Sequence, residues 1–171
     1  MDSVSKIVPW DEVDELVSRL RGEGKTIVFT NGVFDLLHVG HVRYLREAKS
    51  YGDVLILGLN SDASVRRIKG PRRPIVPESE RAEMLAALEY VDYVVIFEDD
   101  TPEALIRKVA PDVHVKGGDY SPDDLPEAPL VRALGGRVVV TALVNGKSTT
   151  ITIGRVLETH ADLLQEGRNG L

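Results

Sequence analysis

Two closely spaced histidines are the residues of this sequence best suited to chemistry. His38 and His41 form the pattern H-x-G-H between an apolar run and a helical pattern. Side chains three residues apart at a helix start project to one side, and a helix N-terminus with its unpaired N–H groups favours phosphate. We therefore predict that both imidazoles donate hydrogen bonds to phosphate oxygens. Two unrelated polar histidines beside a helix cap are the alternative, and the strand–loop–helix context disfavours it.

A second phosphate-binding pattern is predicted near the end of the sequence. The stretch 145–150, NGKSTT, precedes the last predicted helix. Its hydroxyls, its lysine and the helix N–H groups are suited to hold a polyphosphate. A plain capped helix is the alternative, because Ser and Thr are common caps.

Positive charge is concentrated in one segment of an otherwise acidic chain. Residues 66–73, RRIKGPRR, hold five cations in eight positions. Their Gly and Pro favour a loop able to close over a triphosphate, with Lys69 as the first candidate, whereas a solvated turn is the alternative. Lys116 ends a predicted strand before Gly117 and Gly118, which suits close backbone approach to a ligand, or else a plain turn.

Alternating strands and helices must position these residues. Short apolar runs alternate with helical periodicity, which predicts a parallel sheet covered by helices on both faces. Ligands of such sheets bind beyond the carboxyl ends of the strands. The predicted strands are 26–29, 54–59, 93–97, 113–115 and 138–140. The predicted helices are 10–20, 39–48, 62–69, 78–88, 101–110, 123–134 and 149–158, with Asp62 capping the third and Pro126 and Pro129 interrupting the sixth.

Size and composition narrow the class of protein. A length of 171 residues predicts one domain, 1–171, with a core at about 25–158, an N-terminal helix at about 10–21 and a frayed C-terminal tail. The net charge of −6 argues against nucleic-acid binding. We find no apolar run long enough to span a membrane, no signal peptide, no cysteine and no metal-ligand spacing, so we expect a cytoplasmic protein without a metal site of its own.

Several of these stretches, in this order, resemble the cytidylyltransferase-like nucleotidyltransferases, the H-x-G-H superfamily with a Rossmann-like fold. The resemblance covers about residues 6–158 and is greatest to the heptose 1-phosphate adenylyltransferase group. The matching stretches are 29–32, 34–35, 38–41, 58–62, 69–71, Arg81, 91–94, 115–120 and 147–150.

The resemblance implies a three-layer α/β sandwich with a five-stranded parallel sheet. It also implies transfer of AMP from ATP, with Mg²⁺, to a sugar 1-phosphate, D-glycero-D-manno-heptose 1-phosphate, by a homodimer. The implied nucleotide-binding residues are Thr30, Asn31, Phe34, Asp35, His38, His41, Lys116, Gly117, Asp119, Ser148, Thr149 and Thr150. The implied catalytic residues are His38, His41 and Lys69, and the implied substrate-binding residues are Asn60, Asp62 and Arg81.

Two other functions stay open at this point. Glycerol-phosphate cytidylyltransferases usually carry an arginine where this chain has Leu143, and another where it has Glu89. Both differences count against cytidylyl transfer to glycerol 3-phosphate or another alditol phosphate, which is nevertheless the first alternative. A nucleotide-binding regulatory module without turnover is the second.

Overall fold

Strands and helices alternate along the chain in the computed structural model, which describes residues 3–119, 121–142 and 149–160. The strands are β1 (Ile27–Gly32), β2 (Val54–Asn60), β3 (Tyr93–Phe97), β4 (Val113–Gly117) and β5 (Arg137–Thr141). The helices are α1 (Val13–Gly22), α2 (Val39–Lys49), α3 (Asp62–Lys69), α4 (Glu78–Ala86), α5 (Glu103–Val109), α6 (Ala128–Ala133) and α7 (Thr149–Thr159). Short 3₁₀ turns lie at Ser3–Lys6, Trp10–Glu12 and Pro122–Asp124.

The five strands form one parallel sheet in the order β3-β2-β1-β4-β5. The chain winds outward from β1 through β2 to β3 and then returns to add β4 on the other side of β1. The connections therefore reverse direction between β1 and β4, and this switch point is where open α/β sheets bind their ligands. The predicted α/β class with a five-stranded parallel sheet is confirmed.

Helices cover both faces of the sheet, which gives the predicted three layers. Leu45 of α2 and Leu85 of α4 are fully buried in a core on one face. Leu16 of α1, Ile106 of α5 and Val131 of α6 are buried in a second core on the opposite face. Because the central strands lie between two cores, every residue of β2 is buried, and its sequence is a nearly continuous apolar run.

Apart from shifts of up to three residues at helix ends, the structure corrects one predicted helix cap and one predicted helix. The cap of α3 is Ser61, whose Oγ accepts from the backbone N–H of Ser64 at 3.1 Å, so Asp62 is the first helical residue and not the cap. The helix predicted over 123–134 is a 3₁₀ turn at Pro122–Asp124 followed by α6. Pro126 precedes α6 and Pro129 lies in its first turn, where the missing N–H costs little.

The boundaries of the domain, 1–171, stay a prediction. Within the part of the chain that the structure describes, no helix is both long and apolar enough to cross a membrane.

Candidate nucleotide-binding site

The loop after β1 turns sharply because of Gly32 and Phe34. Phe34 has a φ of 46°, in the left-handed region that non-glycine residues rarely adopt, and its ring is buried. A Cβ atom at Gly32 would lie 2.9 Å from the Phe34 ring, which is closer than real contacts allow. A side chain at position 32 would force the Phe34 ring to shift, so glycine allows the ring to pack against the end of β1 as it does here.

His38 and His41 lie together at the start of α2. His38 is the N-cap with extended backbone, and His41 is in the first turn. Their rings stack with centroids 3.8 Å apart and planes 20° apart, while the Phe34 ring packs on His41 at 5.2 Å. The two imidazoles therefore share one side of the helix N-terminus, as the H-x-G-H spacing predicts.

Burial keeps the His41 imidazole uncharged near neutral pH. Desolvation, with a smaller contribution from the neighbouring His38, lowers the pKa of His41 from 6.5 to about 4. Its Nδ1 is buried and has no hydrogen-bond partner among residues 3–119, 121–142 and 149–160. A neutral imidazole carries one N–H donor, so His41 is suited to donate a hydrogen bond to an anion.

The N-terminus of α7 lies beside the same loop. The hydroxyl of Thr149, the first residue of α7, is 3.5 Å from the carbonyl oxygen of Leu36, two residues before His38. That distance is too long for a strong hydrogen bond, but it places the second phosphate-binding pattern next to the first. Thr150 is exposed in the first turn of α7, and Ser148 lies outside the described residues.

Asp35, in the loop after β1, binds the end of the cationic segment 66–73 and the residues that follow it. Its buried carboxylate accepts hydrogen bonds from Arg73 Nε at 2.5 Å and from the backbone N–H groups of Ile75 and Val76 at 2.8 and 2.9 Å. Three donors already occupy this carboxylate. The geometry therefore assigns Asp35 a contact with the protein's own loop, and its predicted role toward phosphate stays a prediction.

Lys69, the last residue of α3, is exposed at an open groove. The groove is lined by residues 69–73 and Ile75 and by Ile153 and Leu157 of α7. Lys69, the predicted catalytic cation, and the last helix therefore border the same groove.

Arg81 is fully buried, and its guanidinium makes several hydrogen bonds within the protein. The sequence resemblance predicts instead that it contacts the substrate phosphate. Its guanidinium donates to the carbonyl oxygens of Val76, Val33 and Asn60 at 2.9, 2.7 and 2.9 Å. It also pairs with Asp62 Oδ1 at 2.7 Å. Four of its five N–H donors are therefore engaged, which favours a role in positioning the loops over direct substrate contact.

Asn60 and Asp62 take part in the same network. The Asn60 side chain is buried and donates to Ser64 Oγ at 3.0 Å. The backbone N–H of Asp62 donates to Glu78 Oε2 at 2.5 Å, which joins the start of α3 to the start of α4. The structure thus gathers the predicted substrate-binding residues around Arg81 at the carboxyl end of β2.

Thr30 belongs to the sheet interior. Its side chain is fully buried, and its Oγ1 lies 2.5 Å from Tyr44 Oη, which donates to the Val115 carbonyl oxygen at 2.9 Å. Because the Tyr44 proton is used on Val115, Thr30 is the donor of the first bond. This chain of bonds joins β1, α2 and β4, and the phosphate contact implied for Thr30 stays a prediction.

At the switch point, Asn31 and Lys116 meet across β1 and β4. Lys116 Nζ donates to Asn31 Oδ1 at 2.9 Å and lies 3.0 Å from Glu127 Oε1. Gly117 closes β4, and Asp119 is exposed beyond it. The structure therefore brings together two of the predicted nucleotide-binding residues and adds a carboxylate that the sequence patterns do not reveal.

Glu127 is ionised and almost fully buried. Its Oε1 lies 3.5 Å from Nε2 of the buried His114, a separation long for a hydrogen bond, so the neutral imidazole acts on the carboxylate only as a weak N–H donor. The His114 imidazole first, and then the Lys116 charge, lower the pKa of Glu127 to about 2 against the effect of burial. Burial lowers the pKa of His114, so that imidazole is neutral.

Tyr44, Arg73 and Glu127 are the site residues without an individual prediction from the sequence. Tyr44 follows the periodicity of an ordinary helix, and Arg73 is one of five neighbouring cations. The only local signal for Glu127 is its position between Pro126 and Pro129, which interrupts the predicted helix.

The parallel sheet and the order of its strands define a doubly wound α/β protein, and in such proteins the switch point, here between β1 and β4, is where ligands bind. The chain belongs to the cytidylyltransferase-like family, whose model matches residues 29–155.

Relatives support this membership. The Bifunctional protein HldE of Geobacter metallireducens is 54% identical over 161 residues, which cover 94% of this chain and 33% of that protein. The HldE of Pelobacter propionicus is 55% identical over 160 residues, again 94% and 33%. The chain thus spans about a third of the length of these relatives. The crystal structure of a lipopolysaccharide core biosynthesis protein from Thermoplasma volcanium matches with a TM-score of 0.60 and 30% identity, covering 72% of this chain and 100% of that one.

Proposed function

We propose that this chain transfers AMP from ATP to a sugar 1-phosphate, giving an ADP-sugar and pyrophosphate. The acceptor that we propose is D-glycero-D-manno-heptose 1-phosphate. Membership of the cytidylyltransferase-like family supports nucleotidyl transfer. The similarity to HldE proteins and to a lipopolysaccharide core biosynthesis protein supports a sugar phosphate acceptor.

The observation that carries this proposal is the meeting of two helix N-termini beside two stacked imidazoles. The first turn of α2 holds His38 and His41, and the first hydroxyl of α7 approaches the loop before them. Each helix N-terminus presents unpaired N–H groups and partial positive charge. The arrangement offers several donors to one polyphosphate without requiring a charged histidine.

The transfer itself requires little proton chemistry from the protein. A phosphate monoester has a second pKa near 6 and is largely dianionic at pH 7. One of its oxygens attacks the α-phosphorus, the bond from that phosphorus to the bridging oxygen breaks, and pyrophosphate leaves with the electron pair. His38 and His41 then stabilise the growing negative charge by hydrogen bonding, so that neither has to act as a general base.

The residues present fit a magnesium ion that arrives with the nucleotide. No cluster of three or more acidic or histidine side chains suited to a metal is found in the described part of the chain, and the Asp35 carboxylate is filled by three donors. Mg²⁺ commonly binds through substrate phosphates and keeps several waters. When bound, it would neutralise charge on the phosphate oxygens, and the protein's part is to hold those phosphates.

Pyrophosphate release tests the proposal. ATP and CTP are each supplied with heptose 1-phosphate, glucose 1-phosphate or glycerol 3-phosphate in the presence of Mg²⁺. We expect release with ATP and heptose 1-phosphate to exceed every other combination. Faster release with CTP and glycerol 3-phosphate would favour the cytidylyltransferase alternative, and no release with any pair would refute nucleotidyl transfer.

The remaining expectations concern the state of the protein in the cell. We infer a homodimer in the cytoplasm, on the resemblance to nucleotidyltransferases that act on cytoplasmic sugar phosphates. Sedimentation equilibrium over a range of concentrations tests the dimer, and a monomer at all concentrations would contradict it.

A further inference from the structure

The cluster at the switch point contains a carboxylate that the proposed transfer does not use. Glu127 lies at the N-cap of α6, and its side chain is 8% exposed. Lys116 Nζ is 3.0 Å from the Glu127 carboxylate and donates to the amide oxygen of Asn31 at 2.9 Å. The three residues form a short chain from α6 through β4 to β1, which ends at the loop that leads to the histidines.

Charge compensation changes what Lys116 is able to recognise. Glu127 is ionised, so it and the Lys116 ammonium sum to zero and attract a distant phosphate only weakly. Of the three N–H donors of the ammonium group, one is used on Asn31, whereas the 3.0 Å contact with Glu127 is an ion pair without hydrogen-bond geometry. Lys116 therefore keeps donor capacity for a ligand atom that does not have to be charged.

The same contacts fix the side chain of Asn31. Because its Oδ1 accepts from Lys116, the amide cannot rotate by 180° without placing its NH₂ group against an ammonium. The amide nitrogen is then the group left to donate to a ligand. Loss of the carboxylate removes the anchor that holds Lys116 and, through it, the orientation of Asn31.

We propose that Glu127 is a positioning residue that holds Lys116 as a charge-compensated donor to the uncharged nucleoside part of the nucleotide. This inference rests on the proposed function. It separates two tasks at the switch point: the helix N-termini and imidazoles hold the phosphates, and the chain Glu127–Lys116–Asn31 recognises the nucleoside.

The test compares ATP with inorganic tripolyphosphate, which has the phosphates but no nucleoside. Dissociation constants for both are measured with Mg²⁺ by calorimetry for wild type and for Glu127→Gln, which keeps the shape of the side chain and removes its charge. We expect ATP binding to weaken by roughly tenfold relative to tripolyphosphate, the size of effect that follows loss of a charge-assisted hydrogen bond. Tripolyphosphate binding should stay equal or become tighter, because the site gains one positive charge.

Two further variants separate positioning from general damage. Lys116→Met should show the same tenfold change, and the combined variant should show no further loss, because both substitutions remove one interaction. Asp123→Asn is the matched control, since it makes the same carboxylate-to-amide change in an exposed pair with Arg132 just before α6. Melting temperatures are measured for every variant, and if Glu127→Gln does not fold, unchanged binding of ATP by Lys116→Met would still overturn the inference.

Specific results would overturn the inference. In Glu127→Gln, equally weakened binding of ATP and tripolyphosphate would do so, and so would unchanged binding of both. Additive losses of affinity in the combined variant, or the same change in Asp123→Asn, would also overturn it. Failure of the wild-type protein to bind ATP would instead count against the proposed function, so the two failures are distinguishable.

Discussion

The partly buried His41 imidazole should make the stability of this protein fall as the pH is lowered. The pKa of His41 is about 4 in the folded chain, against 6.5 in the unfolded chain. The unfolded state therefore binds more protons between these two values, and the free energy of unfolding decreases as the pH falls from 6.5 toward 4. Above pH 6.5 both states are neutral at this residue, and its contribution is fully present.

The size of the effect follows from the two pKa values. Linkage gives a loss of about 2 kcal/mol from His41 between pH 7.5 and pH 5.0. Because the side chain is partly exposed, solvent screening reduces this to about 1–2 kcal/mol. Glu127 contributes little to this difference in stability between pH 7.5 and pH 5.0. Its pKa is about 2 in the folded chain against 4.5 in the unfolded chain, so its own effect on stability appears mainly below pH 5. His114 is buried and contributes with the same sign.

Urea unfolding at pH 7.5 and pH 5.0 measures the difference. His41→Asn removes the titrating group, so its stability should fall less than that of wild type by about 1–2 kcal/mol. His160→Asn removes an exposed histidine and should behave like wild type. If wild type and His41→Asn lost the same stability, the inferred burial of a neutral imidazole would be wrong.

Three further predictions test the site. His41→Ala should lower kcat by about 10²–10³ with little change in ATP affinity, and equal losses in both would contradict transition-state hydrogen bonding. Asp35→Asn should speed tryptic cleavage in segment 66–73, and ATP with Mg²⁺ should slow that cleavage. Asp100→Asn, which changes an exposed ion pair, is the control and should leave the cleavage rate unchanged. A wild-type cleavage rate in Asp35→Asn would show that Asp35 does not anchor the segment. Arg81→Met should destabilise the fold by about 3–5 kcal/mol in urea unfolding, because Asp62 loses its buried partner. Arg66 lies 3.9 Å from the same carboxylate but is exposed, so Arg66→Met should lower the free energy of unfolding by less than about 1 kcal/mol. A similar loss of stability in both variants would refute the structural role of Arg81.

The elements of the fold were predictable because their signals are local. The central strands are apolar runs since helices bury both of their faces, and β2 shows this along its whole length. The histidine pair was predictable for the same reason, because the spacing of His38 and His41 within one helical turn determines that they meet. The interruption of the helix predicted over 123–134 was predictable from Pro126 and Pro129, and the structure divides this segment into a 3₁₀ turn and α6.

The partners of the charged residues were not predictable, because each pair joins distant parts of the chain. Asp35 meets Arg73 across 38 positions, and Arg81 meets Val33 across 48. Sequence patterns identify such residues as polar and near a ligand loop, but they do not distinguish a residue that contacts substrate from one that holds the loop. That distinction requires the burial and the filled hydrogen bonds that only the folded chain shows.

The charges around the switch point are largely matched within the protein. The pairs Asp35–Arg73, Asp62–Arg81 and Glu127–Lys116 place a carboxylate beside a cation in each case. His41 is neutral between them, so the loops are held in position before any ligand binds, and few full positive charges are directed at the phosphates. The negative charge of a triphosphate must then be met by Mg²⁺, by the helix N-termini and by exposed cations such as Lys69. The contacts of Mg²⁺ and of the exposed cations with the phosphates form only when the nucleotide binds. Catalysis would therefore depend on movement of the cationic segment 66–73 toward the bound nucleotide, at a site whose loops the buried ion pairs already hold in position.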